Sequence, residues 1–234
     1  MKNIAEDVWV FDGETVSFLS FPFTTRMTIV ALPDGDLWVH SPTRLAPALQ
    51  ARVDAMGRVR YIIAPNHLHH LFIKEWQQAY PDALLYGTEE VIRKRSDIAF
   101  NGTLDAAEGS PWEQELDQLL FTGSPFMQEC VFLHRKTGVL VVADLIENFT
   151  PDALPFFKRQ IAGLAGILAP NGKMPLDWRC SFFLRKREAR RHVQRMLAWK
   201  PKKIVLSHGE IIEENAEEFL RRSFRWVKLA EADA

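Results

Sequence analysis

Three apolar runs in this chain each end on side chains that can bind a metal ion. "YIIAPNHLHH" leads into His67, His69 and His70, "VLVVAD" into Asp144, and "IVLSHG" into His208. Short apolar runs of this kind read as buried strands. Strand ends on one side of a sheet gather on a rigid frame even when they are far apart in sequence. The pattern therefore asks for a sheet whose strand ends share one edge. Crowding three of seven histidines into residues 67–70 serves packing badly, whereas neutral imidazole is the commonest side-chain metal ligand. Taken one at a time, each His is a hydrogen-bonded loop residue and Asp144 a turn cap. Taken together they point to a shared polar site.

The remaining chain supplies the elements such a sheet needs. "DVWVFDG" reads as a strand stopped by Asp12-Gly13, and "MTIVALPDGDLWVHS" as a hairpin turning at Pro33-Asp34-Gly35-Asp36. Leu45, Leu49, Val53 and Met56 predict a helix capped by Thr43 and stopped by Gly57. A second helix starts at Leu71 and ends at Pro81, "ALLYG" is a short strand, and Thr88 opens a third helix. "ECVFLHRKTGVLVVADL" is a hairpin that turns at Lys136-Thr137-Gly138. A basic helix spans 187–199, and Ala216, Phe219, Leu220, Ser223, Phe224 and Val227 form the stripe of a last one. Hairpin-paired strands followed by strands alternating with helices indicate an α/β fold with covered sheets.

Composition narrows the function classes. At 234 residues the chain is long enough for one large domain, 1–234. Within it the irregular segment 147–185, with Phe149, Phe156, Phe157 and Trp178, reads as a lid or cap over the sheet. A formal net charge of −1 gives no reason to expect nucleic acid or a membrane as partner. "FFLRKREARRHVQR" reads as a solvated helix face, with contact to nucleic acid or an anionic membrane as the alternative. The N-terminus lacks an apolar signal core, and "IAGLAGILA" at 161–169 is far shorter than the ~20 residues of a membrane span. That patch reads as a buried helix or cap segment, against a pocket wall or partner surface. Cys130 and Cys180 are too few for a disulfide framework, which favours a reducing cytoplasm. With no GxSxG and Cys130 inside an apolar strand, Ser or Cys nucleophilic catalysis has no support.

The order of motifs resembles the metallo-β-lactamase superfamily, and within it an uncharacterised family of unknown function. The likeness runs from "MTIVALPDGDLWVHSP" to the final helix. In that superfamily an early hairpin ends in an Asp-Thr-Gly-like turn, where this chain has His40-Ser41-Pro42. "NHLHHLF" stands at the HxHxDH loop, Ala143-Asp144 at a later Gly-Asp, and Ser207-His208-Gly209 at a late Gly-His-like turn. The resemblance implies a four-layer αββα sandwich of two packed mixed sheets.

The site motifs depart from that pattern. Starting HxHxDH at His67 makes His67 and His69 the first pair and leaves Leu71 and Phe72 at the Asp and third His. Anchoring on Pro65 puts Asn66 and Leu68 at the first pair and His70 at the Asp; both registers stay open. The middle histidine is missing from "TGSPFMQEC", where Glu129 is the nearest carboxylate. What remains implies at most one divalent metal ion, zinc first, with iron or manganese as alternatives. Its ligands would come from His67, His69, His70, Asp144 and His208, with Asp144 also able to orient the attacking water. The resemblance then implies a mononuclear hydrolase of a small ester, amide, lactone or phosphoester. The alternative is a degenerate, non-catalytic member that binds a ligand or partner without metal.

Overall fold

The computed structural model describes residues 1–18, 21–105 and 109–229. A seven-stranded mixed sheet runs β1 Lys2–Ala5, β2 Val8–Phe18, β3 Phe21–Ala31, β4 Asp36–His40, β5 Arg58–Ala64, β6 Leu84–Gly87 and β7 Gly102–Thr103, in that spatial order. Helices α1 Pro47–Asp54, α2 Ile73–Ala79 and α3 Glu89–Lys94 cover its outer face. A four-stranded sheet follows in the order β11-β10-β9-β8, with β8 Leu116–Phe121, β9 Glu129–His134, β10 Val139–Val141 and β11 Lys203–Val205. After α4 Phe156–Ala165 come α5 Leu176–Ser181, α6 Lys186–Ala198 and α7 Ala216–Ser223; these last three cover the second sheet's outer face. This is the αββα sandwich.

Strand alternation builds its three apolar layers. In β5, Tyr61 and Ile63 point between the sheets while Ile62 and Ala64 meet α2 and α3. In β9, Cys130 and Phe132 point inward while Val131 and Leu133 meet α6 and α7. Successive side chains of a strand leave opposite faces, so a run buried on both sides must be apolar throughout. Trp38, Trp112 and Phe132 lock the inner layer edge to face, with ring centroids 4.8–6.4 Å apart.

Three sequence expectations change. Asp12-Gly13 does not end a strand: β2 continues to Phe18, and its pairing with β3 shifts register between Asp12 and Thr15. Gly13 marks that bulge because a Cβ there would lie 2.4 Å from Thr25 Oγ1. Thr43 does not cap α1. It is buried, and its carbonyl accepts the Trp76 indole N–H at 2.7 Å, while α1 starts at Ala46-Pro47. The 161–169 patch is not a buried helix either. In α4 only Ala162 is buried, whereas Ile161 is 56% and Leu164 88% exposed. Strands β1 and β8 carry no strong periodicity and escape the sequence reading.

Candidate metal centre

Chain turns deliver the polar groups to one edge of the sandwich. After β5, the buried Asn66 folds the loop by accepting the N–H groups of Leu68 at 2.8 Å and His69 at 3.0 Å on its side-chain oxygen. This Asx-type turn replaces extended backbone, so residues three apart, rather than two apart, face the same way. Asn66 Nδ2 donates to Asp144 Oδ2 and to Glu129 Oε2, both at 2.9 Å. His69 Nε2 lies 3.1 Å from Asp144 Oδ1, and its Nδ1 lies 2.5 Å from Ser41 Oγ.

Asp144 stands just past β10, on a turn held by the Glu129 carboxylate. Glu129 accepts the backbone N–H groups of Ala143 and Asp144 at 2.8 Å and of Leu145 at 3.1 Å. Three consecutive donors on one carboxylate form a backbone nest around it. His208 follows β11. Its Nε2 is 2.9 Å from the same Asp144 Oδ1, and its Nδ1 is 2.8 Å from the Thr24 carbonyl on β3. The next residue must be glycine: Gly209 has φ +105, and a Cβ there would fall 2.0 Å from the Asn148 carbonyl oxygen.

Ligand atoms of His69, Asp144 and His208 all lie within 4.8 Å of one another. The other two candidate imidazoles point away. His67 Nδ1 pairs with Glu90 Oε2 at 3.0 Å, and its carbonyl accepts Lys94 Nζ. His70 Nδ1 lies 3.2 Å from Arg95 Nη1. Arg95 would repel a cation beside His70, and the cluster of ligand atoms includes neither His67 nor His70. Neither alignment of the loop survives intact: Asn66 and His69 face Asp144, while Leu68 packs into the apolar layer under the second sheet.

The protonation states follow these contacts. Burial resists charge on Asp144, but His69 and His208 outweigh it and hold the carboxyl well below its usual range. Burial likewise opposes charge on His69, and Asp144, with Glu129 behind it, raises the imidazole above its ordinary 6.5. Glu129 is pushed up to about 7 by burial and by the Asp144 charge, against the donors it accepts. Burial, with Asp144 and Asp177, lifts the Glu147 carboxyl well above its normal range. Burial, helped by His69, lowers His40 to about 3, so this ring, stacked on Trp38 at 5.5 Å, is neutral.

One contact tests whether these residues suit a metal. A carbonyl oxygen only accepts, so the His208 Nδ1 facing Thr24 carries the proton. In the neutral ring Nε2 then presents a lone pair to Asp144 Oδ1, itself an acceptor, 2.9 Å away. Either a proton or a cation must lie between them. A neutral imidazole whose outer nitrogen is anchored to a carbonyl is the usual supporting arrangement for a metal-ligating histidine. Two nitrogens and one carboxylate oxygen suit zinc, iron or manganese; the set fits.

Sequence reasoning named Asn66 and Glu129 only as register and substitution alternatives, and did not single out Ser41 or Glu147. The signal for Glu129 was a carboxylate opening an otherwise apolar strand.

The sequence matches the family described as Domain of unknown function (DUF4336) over residues 5–164, and the chain belongs to that family. The matched span includes His69 and Asp144 and stops before His208. No curated protein matches the sequence. Among solved structures, a metallo-β-lactamase from Hirschia baltica is 13% identical, with 99% of this chain and 98% of that one covered at a TM-score of 0.62. The FIM-1 metallo-β-lactamase from Pseudomonas aeruginosa, in its mono-zinc form, is 12% identical, with 97% and 93% covered at 0.64. The DIM-1 enzyme exposed to ceftazidime is 10% identical, with 97% and 96% covered at 0.65. At these identities the likeness establishes the metallo-β-lactamase fold.

Proposed function

We propose that this member of the DUF4336 family is a mononuclear metal-dependent hydrolase of a small ester, amide, lactone or phosphoester. His69 Nε2, Asp144 Oδ1 and His208 Nε2 would hold one divalent ion, zinc first. The observation that carries the reading is the convergence of three segments far apart in sequence: ligand atoms of His69, Asp144 and His208 lie within 4.8 Å of one another, and both rings meet the same Asp144 Oδ1. Bound there, the ion would supply a lowered water pKa, toward ~7, and polarise the scissile carbonyl or phosphoryl oxygen. The chain's own groups do the positioning. Thr24 and Ser41 orient the two rings, Asn66 holds the second oxygen of Asp144, and Glu129 fixes the turn on which Asp144 stands. Phe23 and Phe149 flank His208 at ring distances of 4.9 and 6.2 Å and exclude water from that side.

A metal-free binding protein is the competing reading. It is favoured by the Asn66 amide, which already joins Asp144 to Glu129 without any ion. Elemental analysis of purified protein, combined with nitrophenyl ester and phosphodiester assays, separates the two. One zinc, iron or manganese per chain, with hydrolysis lost on chelation and restored by that metal, is expected. Metal-free protein that neither takes up an ion nor hydrolyses any member of the panel would leave the binding reading.

A further inference from the structure

Large hydrophobic side chains are exposed in only a few segments of the described chain. Apart from Met1, every such side chain among the described residues falls in the loop after β5, the turn before β9, α4, or the stretch from α5 to the start of α6. Contacts tie these segments to the candidate metal centre or to one another: Ala162 of α4 packs on Phe149, which stacks on His208, and Ser181 of α5 donates to Ser124 in the turn before β9. The first carries His69, the second leads into Glu129, and the last two follow Asp144 along the chain. The rest of the surface shows no comparable exposure among the described residues.

Helix α4 is inverted relative to an ordinary covering helix. Phe157, Ile161 and Leu164 recur at i, i+4 and i+7, which places them on one face. They are 79%, 56% and 88% exposed. At the α5–α6 corner five consecutive residues are exposed: Phe183 and Leu184, then Arg185, Lys186 and Arg187. None of these three cations forms an ion pair with a described residue. Residues 156–191 carry nine Lys and Arg side chains against two acidic ones, in a chain whose net charge is −1. The average over the whole chain, which argued against a membrane partner, conceals this segregation.

We propose that the exposed segments of α4 and the α5–α6 corner seat on a bilayer surface containing anionic phospholipid. The α4 stripe with Phe183 and Leu184 enters the headgroup boundary, and Arg185, Lys186 and Arg187 pair with lipid phosphates. Apolar side chains beside clustered cations are the signature of interfacial binding. No helix among the described residues is long and apolar enough to cross a membrane, and the contact proposed is a peripheral one. A second copy of the chain fits this face poorly, because a two-fold contact would bring the same cations together. Nucleic acid accounts for less of the patch: Phe157 and Phe183 could stack on bases, but the exposed Ile161, Leu164 and Leu184 offer no aromatic face.

The test is flotation of the full chain with vesicles of phosphatidylcholine alone, or of phosphatidylcholine mixed equally with phosphatidylglycerol. Strong binding to the mixed vesicles that weakens as salt rises is expected, with little binding to the neutral ones. The charge-reversed R185E/K186E/R187E variant should lose roughly tenfold or more, and the uncharged F157S/L164S variant a comparable factor. These positions are exposed, so unchanged thermal midpoints certify both folds. No flotation with anionic vesicles at low salt overturns the proposal, as does unchanged flotation of both variants. So does duplex DNA bound as tightly as the vesicles, or a dimer that F157S/L164S abolishes while no vesicle binding is seen.

Discussion

The loop after β5 has two sides, and neighbouring imidazoles on them meet opposite charges. His69 faces the Asp144 carboxylate at 3.1 Å, whereas His70 faces the Arg95 guanidinium at 3.2 Å. The same side chain is raised above 6.5 on one side and lowered to about 4 on the other, there by burial and by Lys94 and Arg95. Histidine density thus marks the loop, while the groups facing each ring decide whether it can serve a cation.

The largest effect should come from the inward side. His69→Ala, Asp144→Ala and His208→Ala should each abolish stoichiometric metal, whereas His67→Ala and His70→Ala keep it, as read by elemental analysis. Loss in His70→Ala equal to that in His69→Ala would break the contrast. One step weaker is Glu129→Gln, whose amide would present N–H groups to the Ala143–Leu145 donors. Metal affinity should fall about 10–100-fold, the usual range for groups that position ligands, measured by competitive titration with a chelating dye.

Acid and base should separate the two rings next. In metal-free protein, raised His69 contributes stability that is complete below 6.5 and lost as pH climbs through its higher folded value. His70, lowered to about 4, works the other way: the fold resists its protonation, so stability falls as pH drops from 6.5 toward 4. Thermal midpoints of His70→Asn should be less acid-sensitive over that window than the parent's; an unchanged slope would remove His70 from the account. The smallest effect belongs to His67, whose pair with Glu90 is partly solvated. His67→Gln should shift stability by ~0.5 kcal/mol or less in denaturant unfolding.

Much of the frame was legible because it rests on periodicity. The apolar runs of β5, β10 and β11 and the stripe of α7 declare their burial residue by residue. The loop was not legible in the same way. Whether a turn faces His69 or His70 toward Asp144 depends on the Asn66 side chain accepting two backbone N–H groups, and either alignment of "NHLHHLF" is compatible with the letters alone. Thr43 misled because a capping residue type does not fix where a helix begins: α1 is entered at Ala46-Pro47 without a side-chain cap, and Thr43 lies buried with its backbone carbonyl accepting the Trp76 indole N–H. The α4 patch misled because apolar composition says nothing about which way a face turns.

The most direct measurement follows zinc titrated into metal-free protein while counting the protons released. With His208 Nδ1 fixed as donor to Thr24, the position between Nε2 and Asp144 must hold a proton until an ion replaces it. One zinc per chain, with proton release on binding and both lost in His208→Ala, is the expected result. No uptake, or uptake that His208→Ala leaves untouched, would contradict the site.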